Sequence, residues 1–190
     1  MPDIPIPQLQ KLLLLDADTG ALYWRTRPVD LFSDGAQSAE MACHNWNSRW
    51  SGKEAFTAVD GKGYRRGQIN GRKYAAHRVV FALANGRWPT HMVDHANGIP
   101  QDNRPGNLRE ATRSQNAMNV KSHRDGASLY LGVCWDKNAG KWKAAIRSAG
   151  KTRYLGLFLN EADAARAYDA AAKRVHGDFA RLNFKPQSAA

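Results

Sequence analysis

Residues 93–119 read VDHANGIPQDNRPGNLREATRSQNAMN, in the order strand, loop, strand, helix. Asp94 and His95 end the first strand, and Asn97-Gly98, a turn-forming pair, opens the loop. Asn107-Leu108 begins the second strand. Thr112 with Gln115 three residues on is the S/T-x-x-E/Q pattern, in which each side chain satisfies the other's backbone N–H, so a helix is expected to start there. On that helix Arg113 and Asn116 are three apart and share a face. A carboxylate and an amide oxygen are hard ligands that suit Mg²⁺, an ion that keeps several waters and takes phosphate oxygens as its other partners. A histidine, whose ordinary range is near neutrality, is the side chain best suited to take a proton from an attacking water.

Upstream, Tyr64 to Ile69 and Arg72 to Ala76 flank Asn70-Gly71, a strong hairpin signal. A helix with an apolar face is expected from His77 to a stop at Gly86. His77 itself reads as structural or close to DNA rather than as a third ligand. Residues 61–119 therefore read as one catalytic unit. Residues 1–60 read as a loop-rich αβ extension, with a short helix over Ile4 to Leu15 and a turn at Asp18-Thr19-Gly20 into a strand holding Leu22 and Trp24 on one face. From there to Asp60 loops are expected, with Trp46 and Trp50 as packing residues rather than base-stacking ones.

The ordered set His77-Arg78, DH-x-NG, DNR, NLR and QN-x-x-N resembles the ββα-metal site of HNH endonucleases, in the Asn-terminated form found in phage and intron homing enzymes. The resemblance implies that Asp94 and Asn116 bind one divalent metal, Mg²⁺ before Mn²⁺. His95 would activate water, Asn107 would brace the loop and orient His95, and Arg113 would steady the scissile phosphate. An Asn before a strand can equally be a turn former that bonds its own backbone.

The formal charge of +11 is the electrostatic footprint of a nucleic-acid binder, although ribosomal, membrane-surface and heparin-binding proteins share it. Cys43 and Cys134 make no C-x-x-C pair, so neither structural zinc nor a disulfide framework is expected, and the chain reads as a reduced, cytoplasmic protein. The LLLL run at residues 12–15 is too short for a signal core or a membrane span.

Residues 120–128 are polar and without apolar period, as a linker is. Beyond residue 120 stand 13 Lys and Arg against 6 Asp and Glu, a net of +7, so a second basic module is indicated. It covers residues 129–185 and holds three short strands, then a helix after Asn160, a candidate N-cap, ending at Gly177. Alternation in KWKAAIR puts Trp142, Ala144 and Ile146 on one face and Lys143, Ala145 and Arg147 on the other.

YLGV, W-x-A-x-I-R, YLG-x-F, EADAARAYDAAA and HGDFARLNF resemble the APETALA-type, or ethylene-responsive-factor, DNA-binding domain from Tyr130 to Phe184. The resemblance implies a three-stranded antiparallel sheet on one helix, with Lys143, Arg147 and Tyr154 facing the major groove and Arg153 beside them as a phosphate contact. The family's first strand opens YRGV with further arginines. Leu131 and Cys134 stand here instead, so fewer guanidinium groups are left to read guanine edges, and Trp135, Lys137 and Lys141 would supply shape and phosphate contacts.

The expected fold is α+β, and the expected activity is metal-dependent, homing-type cleavage of double-stranded DNA in a bacterial or phage-infected cell. One site per chain implies a nick from a monomer, and a double-strand break from a weak dimer or from two sequential events. A transcription factor or a basic nucleoid protein with an inactive nuclease-like part is the alternative.

Overall fold

A proline-bearing segment and a run of leucines stand near the start of the chain, and they fold differently from one another. The computed structural model describes residues 3–118, 128–148 and 150–184. Helix α1 (Ile6–Leu12) has proline in its first turn, where the missing N–H has no intrahelical partner to lose. It stops at Leu12 rather than running to Leu15. Leu13–Leu15 (β1) pairs antiparallel with Leu22–Trp24 (β2) instead. A run of leucines fits helix and strand alike, and the turn decides: the Asp16 carboxylate accepts the backbone N–H of Asp18 at 3.0 Å and the Thr19 hydroxyl at 2.7 Å, folding the chain back on itself.

The loop-rich expectation before Asp60 is overturned by helix α2 (Ala39–Trp50), capped by Ser38, whose Oγ accepts the Met41 N–H. Cys43 alone of its residues is buried, so no apolar stripe advertised it. Trp46 packs edge-on against Trp24 with ring centres 5.7 Å apart. Glu54–Ala55 (β3) joins the β1–β2 sheet.

A second sheet holds Ala58–Val59 (β4), Arg65–Ile69 (β5) and Arg72–Ala75 (β6). Asn70 and Gly71 turn β5 into β6 with φ of 47° and 78°, the two positive values that a type I′ turn demands. Helix α3 (Ala76–Asn85) buries Val79, Val80, Phe81 and Ala82 and ends at Gly86 in the left-handed region. Then Met92–His95 (β7) and Leu108–Ala111 (β8) form a two-stranded ribbon, with Asp94 opposite Arg109 and His95 opposite Leu108. A 3₁₀ turn over Pro105–Asn107 precedes β8, so Asn107 closes that turn instead of opening the strand.

The chain divides into two compact units, Met1–Ala111 and Thr112–Ala190. In the first, Leu9, Leu12, Leu13 and Leu22 share one apolar core with Val79, Val80 and Phe81 of α3 and with Val93 and Leu108 of the ribbon. The ribbon is thereby anchored by one buried residue from each of its strands.

The second unit starts with helix α4 (Arg113–Met118). The reciprocal cap is present: Thr112 N–H donates to Gln115 Oε1 at 2.8 Å, and Gln115 N–H donates to Thr112 Oγ1 at 3.3 Å. Most of the linker expected at 120–128 lies outside the described residues; Ser128, at its end, is buried and accepts the Tyr130 N–H. Val133–Asp136 (β9), Lys141–Ser148 (β10) and Lys151–Phe158 (β11) form an antiparallel sheet with β10 central. Helix α5 (Glu161–His176) turns Ala164, Ala165, Ala171 and Ala172 into the core beside Val133, Ala144 and Ile146. Asn160 sits at the N-cap position, but its side chain makes no capping bond. Asp169 and Asn183 close the unit: the Asp169 carboxylate accepts the N–H groups of Asn183 and Phe184, and the Asn183 amide bonds both backbone groups of Leu131. No helix among the described residues is long and apolar enough to cross a membrane.

Candidate active site

The loop between β7 and β8, residues 96–107, carries six polar residues in twelve positions, and the side chains of Asn97, Asp102, Arg104 and Asn107 hold one another. Asn107 Oδ1 accepts the Asn97 N–H at 3.0 Å, while its Nδ2 donates to Asn97 Oδ1 at 3.1 Å and to the Asp102 carbonyl at 2.7 Å. The Asn107 carbonyl accepts the Ala96 N–H, next to His95. Asp102 accepts from Asn97 and Arg104; the hydrogen bond from Arg104 is the largest of the effects that hold its carboxyl down at about 2. Asn107 thus ties both ends of the loop to its middle.

At the end of β7, Asp94 and His95 are buried, 6% and 4% exposed. His95 Nε2 lies 3.0 Å from Oδ1 of Asn103, itself 2% exposed. An amide oxygen only accepts, so Nε2 carries the proton and the ring's lone pair resides on Nδ1, the tautomer that suits a base. Asn103 had no role in the sequence reading, which assigned the orientation of His95 to Asn107. Its position in a DNR triplet among turn formers gave no signal of burial.

Asp94 Oδ2 accepts from Arg109 Nε at 3.0 Å and Nη2 at 2.8 Å, across the ribbon. Among the described residues no three His, Cys, Asp or Glu side chains gather as a metal cage. A hard cation that takes water and phosphate oxygens as most of its ligands requires none, and a carboxylate oriented by a second hydrogen-bonding group is the usual form of a protein ligand to such an ion. The donor set at Asp94 fits a divalent metal on that ground. Arg113 and Asn116 lie on α4, three residues apart and partly or fully exposed.

His77, the second residue of α3, meets His95 directly. Their ring centres are 5.2 Å apart with the planes at 74°, and Tyr64 lies 5.3 Å from His77 and 5.8 Å from His95. Burial, and then the neighbouring His95, bring the His77 imidazole down to about 4, so it is neutral at physiological pH.

In the second unit, the face of β10 turned away from α5 carries Lys141, Lys143, Ala145 and Arg147. The cross-strand partners Tyr154 (opposite Ala145), Leu157 (opposite Lys143) and Cys134 (opposite Lys143) share it. Tyr154 is 61% exposed, an aromatic ring standing among cations. Arg153 is also exposed, but it pairs with Ile146 and so leaves the sheet on the helix side, not beside Lys143. Trp135 likewise pairs with the core residue Trp142, 5.1 Å ring to ring, rather than lying on the cationic face. Lys137 is exposed in the turn between β9 and β10.

Comparison with known proteins finds similarities over separate segments of the chain. Residues 74–118 match the HNH endonuclease family model. Protein 3.8 of Escherichia phage T7 is 32% identical over 76 residues, 40% of this chain and 63% of that protein. The AP2-like ethylene-responsive transcription factor AIL7 of Arabidopsis thaliana is 48% identical over 62 residues, 32% of this chain and 12% of that protein. APETALA2-like protein 2 of Oryza sativa subsp. japonica is 46% identical over 65 residues, 33% of this chain and 15% of that protein. The chain spans less than two thirds of the length of each of these relatives. The segment that carries Asp94, His95, Asn107, Arg113 and Asn116 is therefore the segment that matches the HNH endonucleases.

Proposed function

We propose that the chain is a metal-dependent DNA endonuclease of the homing type, with an HNH cleavage site in its central segment and an APETALA-type reader at residues 129–185. The observation that carries the reading is the buried His95 imidazole, which follows the buried Asp94 in β7 and donates its Nε2–H to Asn103. That bond leaves Nδ1 as the basic atom. His95 takes a proton from water as the water attacks phosphorus in line with the leaving 3′ oxygen. Arg113 is the proposed phosphate contact, and Asp94 with Asn116 are the proposed metal ligands, Asn116 on its position in the sequence alone. A divalent ion, Mg²⁺ before Mn²⁺, supplies charge compensation at the scissile phosphate and the leaving oxygen when bound. Asn107 braces the loop that follows His95. The likeness to a phage protein supports a phage or mobile-element setting.

Supercoiled plasmid incubated with the full chain and Mg²⁺ tests the reading. Nicked circles are expected, none in excess EDTA, and none with His95→Ala, while duplex binding stays within about 2-fold; loss of a general base costs about 10² to 10⁴ in rate. Wild-type nicking by His95→Ala would sink the assignment. A chain that binds duplex and never nicks would favour the transcription-factor or nucleoid alternative.

A further inference from the structure

His77, expected from the sequence to be structural or close to DNA, takes no part in the chemistry proposed above, yet its ring touches that of His95. We propose that His77 is a positioning residue of the same site, whose ring together with that of Tyr64 walls in His95 and fixes the direction of its Nδ1. The inference rests on the reading of His95 as general base.

The hydrogen bond from Nε2 to Asn103 fixes the tautomer of His95. Edge-on contact from His77 and a tilted contact from Tyr64 limit the swing of its ring about that bond, because the three rings touch pairwise at 5.2, 5.3 and 5.8 Å. His77 stands in the first turn of α3, whose Ala76, Val79 and Val80 are buried in the core. One side of the wall is therefore built into that helix, and Tyr64, just before β5, is the other.

An imidazole is an expensive choice for a wall. His77 Nδ1 is buried with no hydrogen-bond partner among the described residues, a loss that an apolar ring of similar size would not incur. Burial keeps the ring neutral, so it sets no second positive charge against a base that must accept a proton.

The full chain is compared as wild type, His77→Ala, His77→Asn and His77→Phe. Each is followed by thermal unfolding, duplex affinity, single-turnover nicking under Mg²⁺, and ¹⁵N correlation spectra of the histidine rings. Duplex affinity within about 2-fold of wild type is expected throughout. Nicking by the Ala and Asn variants should fall about 10- to 100-fold, as small misplacements of a reacting group do, and His77→Phe should recover it to within several-fold because a ring refills the wall. In the spectra His95 should show one Nε2–H form in the wild type and the Phe variant, and an average of two tautomers in the Ala and Asn variants. Ala or Asn variants that nick at the wild-type rate overturn the proposal. So does a folded Phe variant as slow as the other two. If His95→Ala itself nicks normally, the general-base reading fails, and the ring spectra still decide whether His77 orders His95.

Discussion

A buried imidazole whose Nε2 faces an amide oxygen carries its proton there, and at His95 that oxygen belongs to Asn103. Replacing Asn103 by Leu leaves a buried Nε2–H unsatisfied, which costs about 1 to 3 kcal/mol of stability, and it frees the ring to adopt the other tautomer. Nicking by Asn103→Leu should therefore fall by about 10- to 100-fold, the range seen when an orienting partner is lost, while Asn103→Asp, which keeps an acceptor at the same place, should hold more of both stability and rate. Thermal unfolding with plasmid nicking reads both, and a Leu variant as stable and as fast as wild type would remove Asn103 from the site. Order and spacing single out Asp94, His95 and Asn107 in the sequence as candidates. They do not single out Asn103 or His77, whose burial and contacts with His95 across the fold are not encoded by spacing.

At the level of elements, the first sixty residues reach the site through a glycine. Gly20, in the turn between β1 and β2 with φ of +74°, lies so close to the loop that a Cβ there would stand 2.3 Å from the Asn103 carbonyl carbon and 2.5 Å from the Arg104 nitrogen. Those neighbours are backbone and cannot rotate away, and an L residue is strained at that φ besides. Gly20→Ala is expected to shift the Asn103 backbone and slow nicking several-fold to 100-fold, with a loss of roughly 1 to 3 kcal/mol in stability. By contrast, Gly35→Ala, where a Cβ meets nothing within 4 Å, should be nearly silent. If both variants nick equally, the turn does not support the site. Elements with strong local punctuation were readable: Asn70-Gly71 marked its hairpin, Gly86 its helix stop, and Thr112 with Gln115 the cap of α4. Helix α2 was not, because a helix that buries only Cys43 has no apolar period to find, and the run Leu12–Leu15 was split between helix and strand by a pairing partner seven or more residues away.

For the whole molecule, charge separates a proposed reader from a proposed cutter. Of the net +11, +7 lies beyond residue 120, and β10 sets Lys143 and Arg147 on one face with Tyr154 between them, opposite the face that packs on α5. If those two cations neutralise two phosphates, the log-log dependence of duplex affinity on salt should lose about 1.8 of its slope in the Lys143→Ala, Arg147→Ala double variant, since each phosphate contact contributes roughly −0.9. Arg153→Ala serves as the contrast: its pairing with Ile146 sends it to the other side of the sheet, so the slope should change by less than a single contact's worth. Neither set of changes touches Asp94, His95 or Asn103, so nicking at saturating enzyme should stay within a few-fold of wild type. Fluorescence titration of a labelled duplex across salt concentrations, with plasmid nicking run alongside, measures both quantities. A double variant with unchanged slope, or an Arg153 variant that flattens it more than the pair, would place the reading face on the wrong side of the sheet.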